Sequence, residues 1–285
     1  MKRENLLDEL GMHPKWHLSN SKRKKTTYSI NEPIIELIFG RMKIRNGLFV
    51  EFGAWDGIVL SNCRKLFDNG WGGVFIEGSN KKYKELRENY KNNEDIITIN
   101  SFIDDNRNTL DKVLIENGIT SVDFCSIDID GLDLNVFKSM NEVLPKVVCI
   151  EGGQVLFPTE NEIVPTHIEK DNITQSLFNY ILEFKKKGYA ILCAYQDIFF
   201  VKDEYYHLFN VSNNVFELYI NGLFALPRIP WLYEQIIKHK LSNKIIESIV
   251  SSTDNSNFKN RNKWVQDNYQ TLQQLEIDLK NKYIF

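Results

Sequence analysis

Cysteine is scarce in this chain of 285 residues: there are four, Cys63, Cys125, Cys149 and Cys193, and no two form a C-x-x-C pair. That spacing argues against a zinc site and against a disulfide scaffold. Three of the four sit in strand-like runs, where a free thiol behaves as a small buried hydrophobe. Long apolar runs are missing too, and none approaches the ~18 residues that a bilayer-spanning helix needs. Residues Met1 to Leu10 carry acidic interruptions where a secretion signal needs an apolar core, so the expectation is a cytoplasmic protein without a membrane span. Charge of one sign is lacking as well: 35 basic against 38 acidic side chains leave a net charge of −3, which excludes nucleic-acid binding driven by overall charge. With 15 glycines a collagen-like repeat is excluded. What is present is a globular composition, 42% apolar and 12% aromatic, richer in aromatics than a disordered chain. At roughly 150 residues per domain the length suits one large domain with an appendage.

Residues 1 to about 30 are polar and include the basic cluster Ser21-Lys22-Arg23-Lys24-Lys25. They read as a helix followed by a loosely held segment with a solvated face. Pro33 then opens a helix carrying Ile34, Ile35, Leu37 and Ile38. From Leu48 short apolar runs alternate with amphipathic stretches. Strands are expected over 48–52, 73–76, 96–99, 122–127, 147–150, 189–194 and 198–201, and helices over 60–69, 81–91, 110–117, 134–143 and 174–187. Fully apolar strands separated by helices indicate a parallel sheet buried on both faces. Only Tyr195-Gln196-Asp197 separates the last two strands, which permits a hairpin and forbids a helical crossover. The expected architecture is α/β, a doubly wound and mostly parallel seven-stranded sheet. Residues 1–45 form an N-terminal helical and polar segment, 46–204 the central domain, and 205–285 a mainly helical extension that acts as a lid or an oligomer contact.

Three acidic motifs fall at strand ends, where ligands of doubly wound sheets bind. Glu51-Phe52-Gly53-Ala54-Trp55-Asp56-Gly57 occupies the first strand-to-helix turn. Gly53 allows close approach to its backbone, Gly57 turns the chain, and Glu51 suits an ammonium group. The spacing is not G-x-G-x-x-G, so a nicotinamide cofactor fits poorly. Glu77, with Gly78 behind it, follows Gly57 by twenty residues, a distance that lets a carboxylate reach ribose hydroxyls. Asp128-Ile129-Asp130-Gly131-Leu132-Asp133 ends the fourth strand. It is not an EF-hand loop, because Ser139 stands at its twelfth position. Its carboxylates are expected to face water, a cation or a substrate, with Asp133 as the next helix's N-cap.

These motifs, with Ser61-Asn62, Gly70-Trp71-Gly72-Gly73-Val74-Phe75-Ile76-Glu77, Val147-Val148-Cys149-Ile150-Glu151 and Gly188-Tyr189, resemble the FkbM-like group of S-adenosylmethionine-dependent methyltransferases. That group belongs to the seven-strand, Rossmann-like class I enzymes, and the resemblance covers about residues 48 to 202. It implies that Glu51, Gly53, Ala54, Asp56, Gly57 and Asn62 hold the methionine part of S-adenosylmethionine. It further implies that Glu77 and Gly78 hold the ribose, that Ser101 and Phe102 flank the adenine, and that Asp128 lies beside the methyl position. Hydroxyls of sugars, glycans and related small metabolites, as in surface polysaccharide biosynthesis, are the acceptors the family suggests.

A hydroxyl acceptor needs a base or a metal to deal with its proton. Asp128, Asp130 and His167 are the candidate catalytic residues, and Asn172 and Gln175 are candidates for orienting the acceptor. Asp130 and Glu151 supply hard oxygen ligands for Mg²⁺ or Mn²⁺. Two rivals are set beside this reading. One is a metal-dependent glycosyltransferase with Asp128-Ile129-Asp130 as a D-x-D element, and the other is a domain that binds a cofactor or partner without turnover. The expected partners are a small-molecule or glycan acceptor and, through the tail, a second copy in a homodimer.

Overall fold

The computed structural model describes residues 6–10, 27–129, 131–152, 175, 177–195, 197–211 and 218. The basic cluster at 21–25 and the amphipathic stretches of 231–285 lie outside the described residues.

Seven strands build one sheet: β1 (Leu48–Phe52), β2 (Gly72–Glu77), β3 (Ile96–Asn100), β4 (Phe124–Ile127), β5 (Val147–Glu151), β6 (Tyr189–Ala194) and β7 (Asp197–Lys202). Their order is β3-β2-β1-β4-β5-β7-β6. β7 runs antiparallel to both of its neighbours, and the remaining pairs are parallel. The order reverses between β1 and β4, so the ligand-binding crevice of this architecture opens above those two strands.

Because neighbouring residues of a strand face opposite ways, each apolar strand feeds two cores. Val50, Val74, Cys125 and Val148 pack under α5 (Leu110–Glu116), α6 (Asp133–Ser139) and α7 (Leu177–Lys186). On that side Phe184 stacks between Phe137 and Phe200, with ring centroids 3.5 and 3.7 Å apart. Phe49, Phe75, Phe124 and Phe199 pack under α2 (Glu32–Met42), α3 (Arg64–Asp68) and α4 (Asn80–Tyr90). The short helix α1 (Leu6–Glu9) adds Leu6 to this second side, and another short helix, α8 (Asp203–Tyr206), follows β7. Strand parity places Glu51, Ser126, Cys149, Glu151 and Asp197 on the second side, the same as Phe49, Phe124 and Phe199.

Three local expectations change. The helix expected over 60–69 starts only at Arg64, because the Ser61 hydroxyl accepts from the N–H groups of Cys63 and Arg64 and Leu60 is left-handed at φ 61°. Asp133 is the first residue of α6 rather than its N-cap, which is Leu132. Residues 27–31 are not loosely held. Ser29 and Asn31 are buried, and the Glu32 carboxylate accepts from the N–H groups of Thr27, Tyr28 and Ser29.

Candidate active site

The site is built from the carboxyl ends of the parallel strands. Above β1 the chain turns sharply. The N–H groups of Gly53 and Ala54 both donate to the Ile76 carbonyl at 3.1 Å, tying the turn to β2. Gly53 has φ 81°, and a Cβ there would stand 1.8 Å from the Asp128 carbonyl oxygen. Glycine is therefore required by the approach of the β4 tip, where the sequence suggested the approach of a ligand. Gly57 has φ 73°, and its Cβ would meet Tyr90 and Leu86 of α4 at 2.6 and 2.8 Å. Trp55 between them is also left-handed, at φ 50°, a conformation costly for a bulky side chain. Its indole is 42% exposed, and the Lys82 ammonium sits 3.8 Å from its ring centroid. The Asp56 carboxylate is engaged locally, accepting from Ile58 and Val59 N–H at 2.8 Å.

Two acidic tips on this side are gripped by donors. Glu77 accepts from Trp55 N–H at 2.8 Å and Ser79 N–H at 2.7 Å, so its carboxylate is fixed at the mouth of the crevice. Glu51 is buried, accepting from the Ser61 hydroxyl at 2.5 Å and Asn62 N–H at 2.8 Å. Burial pushes its carboxyl up to about 7, against the pull of those donors, and the Asp128 charge adds to the rise. Beyond β3, Phe102 is 71% exposed and lies against Gly78, while Ser101 accepts from the Asn108 amide at 2.8 Å.

The other side is more crowded. Glu151 ends β5, and the antiparallel register sets Asp197, the first residue of β7, opposite it. Asp197 is buried and accepts from the side-chain amides of Asn31 and Asn62 at 2.5 and 3.4 Å and from the Cys149 thiol at 3.6 Å. Burial raises it to about 7, helped by the charge of Asp128. Glu151 is raised to about 9, first by burial and then by the charges of Asp128, Asp133 and Asp197. Its Oε2 is buried and has no partner among the described residues. Tyr180 of α7 donates to the Glu151 carbonyl at 2.9 Å.

Asp133 does not face water or a substrate. It is buried, accepts from Ile129 N–H at 2.8 Å and Gly131 N–H at 2.9 Å, and is raised by burial to about 7. Its carboxyl shapes the loop that follows β4. Gln175 is buried and accepts from the Asn179 amide at 3.1 Å. Asp130, His167 and Asn172 lie outside the described residues. Among the described residues no group of three or more His, Cys, Asp or Glu side chains is placed to hold a metal ion. Glu77 holds a fixed carboxylate at the mouth of the crevice, and Glu51 sits at the head of the turn.

Ser29, Asn31, Ser126 and Asp197 were missed as site residues. Asp197 was recoverable, because a hairpin after β6 returns the start of β7 to the rim that the β5 tip occupies. Nothing local marks Ser29 or Asn31.

Residues 103–191 match the family model of the methyltransferase FkbM domain, a span running from α5 into β6. No curated protein matches the chain. Among solved structures, the chain is similar to TrmK of M. capricolum in complex with S-adenosyl-homocysteine: 13% identity, 85% of this chain and 99% of that one, TM-score 0.42. It is also similar to a protein of Galdieria sulphuraria described as a sarcosine dimethylglycine methyltransferase, at 14% identity, 81% and 78% coverage and TM-score 0.39. A third is an S-adenosyl-l-methionine-dependent methyltransferase of Methanococcus maripaludis, at 16% identity, 67% and 93% coverage and TM-score 0.38. The family match covers Asp128-Ile129-Asp130. Over residues 103–191, therefore, the chain is similar to the methyltransferase FkbM domain.

Proposed function

We propose that the protein methylates a hydroxyl group of a sugar, glycan or related small metabolite. The observation that carries this reading is the meeting of two carboxyls at adjacent strand tips: β4 and β5 pair Ile127 with Ile150, so Asp128 and Glu151 follow side by side, and the Asp128 charge helps raise Glu151. Two carboxyls that close hold one proton between them, and the pair can take a second from an acceptor. A hydroxyl needs such a base, because it loses its proton only as the new bond forms.

S-adenosylmethionine, when bound, would supply an electrophilic methyl group on a sulfonium, with sulfur as the leaving group that would keep the bonding electron pair. Glu77 holds the ribose hydroxyls and Glu51 the ammonium group, with Gly53, Ala54, Asp56, Gly57 and Asn62 forming the turn around the methionine part. Gly78, Ser101 and Phe102 border the adenine. The Asp128–Glu151 pair receives the acceptor's proton, and Asp130 and His167 stand as further candidates for that task. Acceptor recognition falls to 205–285, appended to the domain of 46–204, while 1–45 precedes it.

The test is turnover with a panel of sugar and nucleotide-sugar acceptors. Methyl transfer to an amine acceptor alone defeats the hydroxyl reading. Asp130→Asn should lower kcat with little effect on S-adenosylhomocysteine affinity. Loss of activity in EDTA, restored by Mg²⁺ or Mn²⁺, would move the proton-handling role from a base to a cation held by Asp130 and Glu151.

A further inference from the structure

A chain of buried polar groups runs from the segment before α2 to Glu51. Ser29 donates from its hydroxyl to Asn62 Oδ1 at 2.5 Å, and the Asn31 amide donates to the same oxygen at 3.0 Å. The Asn62 amide nitrogen donates to Ser126 Oγ at 3.0 Å and to Asp197 Oδ2 at 3.4 Å. Both lone pairs and both N–H groups of that one amide are thus engaged, which leaves it a single orientation. The backbone N–H of the same residue then donates to Glu51, 2.8 Å away. Ser29, Asn31, Asn62, Ser126 and Asp197 are all buried, Asn31 to 1% exposure. The far end is also fixed, since Glu32 gathers three successive N–H groups of 27–29. Ser29 and Asn31 stand 33 and 31 residues before Asn62, outside the sheet and outside the span matched to the family.

A buried polar network costs desolvation that an apolar packing would avoid, so its presence at one strand tip asks for a use. We propose that Ser29 and Asn31 are positioning residues for cofactor binding: through the Asn62 amide they hold the backbone N–H that aims Glu51 at the cofactor's ammonium group. The inference rests on the assignment of Glu51 to that group. It assigns to the N-terminal segment a control over cofactor affinity exerted without touching the cofactor.

The groups facing Glu51 are neutral donors from Ser61, Asn62 and Cys63 at the entry to α3, the Cys125 thiol on β4, the Tyr90 hydroxyl on α4, and one charged group, Asp128 at the β4 tip. Loosening Asn62 removes a donor that favours the carboxylate. The pH at which cofactor affinity falls should then move upward from its wild-type value.

The experiment is a double-mutant cycle read by calorimetry with S-adenosylhomocysteine, using the full chain as wild type, Ser29→Ala, Glu51→Gln and the double variant, each from pH 6 to 9. Ser29→Ala is expected to weaken binding about tenfold at pH 7. It should move the pH midpoint of binding upward and have no further effect once Glu51→Gln is present. Ser29→Cys, close in volume and a weaker donor, serves in the same cycle if Ser29→Ala does not fold. Unchanged affinity in Ser29→Ala, an unmoved midpoint, or additive losses in the double variant each overturn the inference and leave the Glu51 assignment standing. Full affinity in Glu51→Gln overturns that assignment, and the inference with it.

Discussion

The two halves of the sheet rim treat their carboxyl groups differently. Above β1 and β2, Glu51 and Glu77 each have both oxygens engaged by donors from the protein's own chain. Above β5, Glu151 lies beside the Asp128 charge and leaves Oε2 buried without a partner among the described residues. A carboxyl with both oxygens engaged by donors keeps its place, which suits holding a ligand. A crowded, under-satisfied pair exchanges protons at low cost, which suits chemistry. On the function proposed here, the same residue type does two jobs, decided by what surrounds it.

The sharpest way to break this contrast is Glu151→Gln. It keeps the shape, removes the ionisable group and should lower kcat by ~10²–10⁴-fold while S-adenosylhomocysteine affinity stays near wild type. A matched loss of affinity would put Glu151 on the holding side instead. Next in size is Gly53→Ala, which joins the two halves at their closest approach. Its Cβ has no room beside the Asp128 carbonyl, and the backbone is left-handed there. Chemical denaturation should show a loss of about 3 kcal/mol or more. A wild-type midpoint would mean that the turn and the β4 tip separate freely.

Glu77→Ala tests the holding half from the other direction. Removing hydrogen bonds to a charged group should weaken S-adenosylhomocysteine binding by about 2 kcal/mol and leave kcat at saturating cofactor nearly unchanged. The smallest effect is on stability against pH. Glu51, Asp133 and Asp197 are raised to about 7 and Glu151 to about 9, so between the ordinary carboxylate range and those values the folded protein binds more protons than the unfolded chain. Stability should therefore fall as pH rises from about 4.5, through 7 and on toward 9. Melting scans without cofactor should lose several degrees (~5 °C) from pH 5 to pH 8.5. A flat or rising profile would show that these carboxyls are charged in the native state across that range.

Much of this was readable in the residues. Alternating apolar runs and helical stretches announced a buried, mostly parallel sheet, and the three-residue gap after Ala194 announced the antiparallel β7. Acidic residues at the ends of β1, β2 and β4 marked the rim, because a charge directly after an apolar strand has few places to go. These signals are local, repeating at the period of a strand or sitting at its end.

What tertiary structure alone decided is how each of those charges is surrounded. Asp133 and Asp128 stand five residues apart, yet one is buried and ties its own loop while the other lies at the surface of the crevice. Gly53 is needed because β4 lies beside β1 and its tip closes on the turn, a meeting of residues 75 positions apart that no spacing encodes. Asp197 reaches the Glu151 tip only because β7 inserts between β5 and β6. Ser29 and Asn31 reach Asn62 only because the segment before α2 folds back over the start of α3. The physical reason is common to all four. Periodicity fixes which way a side chain faces along its own element, but partners across elements are set by strand order and by the packing of helices on the sheet, and these exist only once the chain has closed on itself.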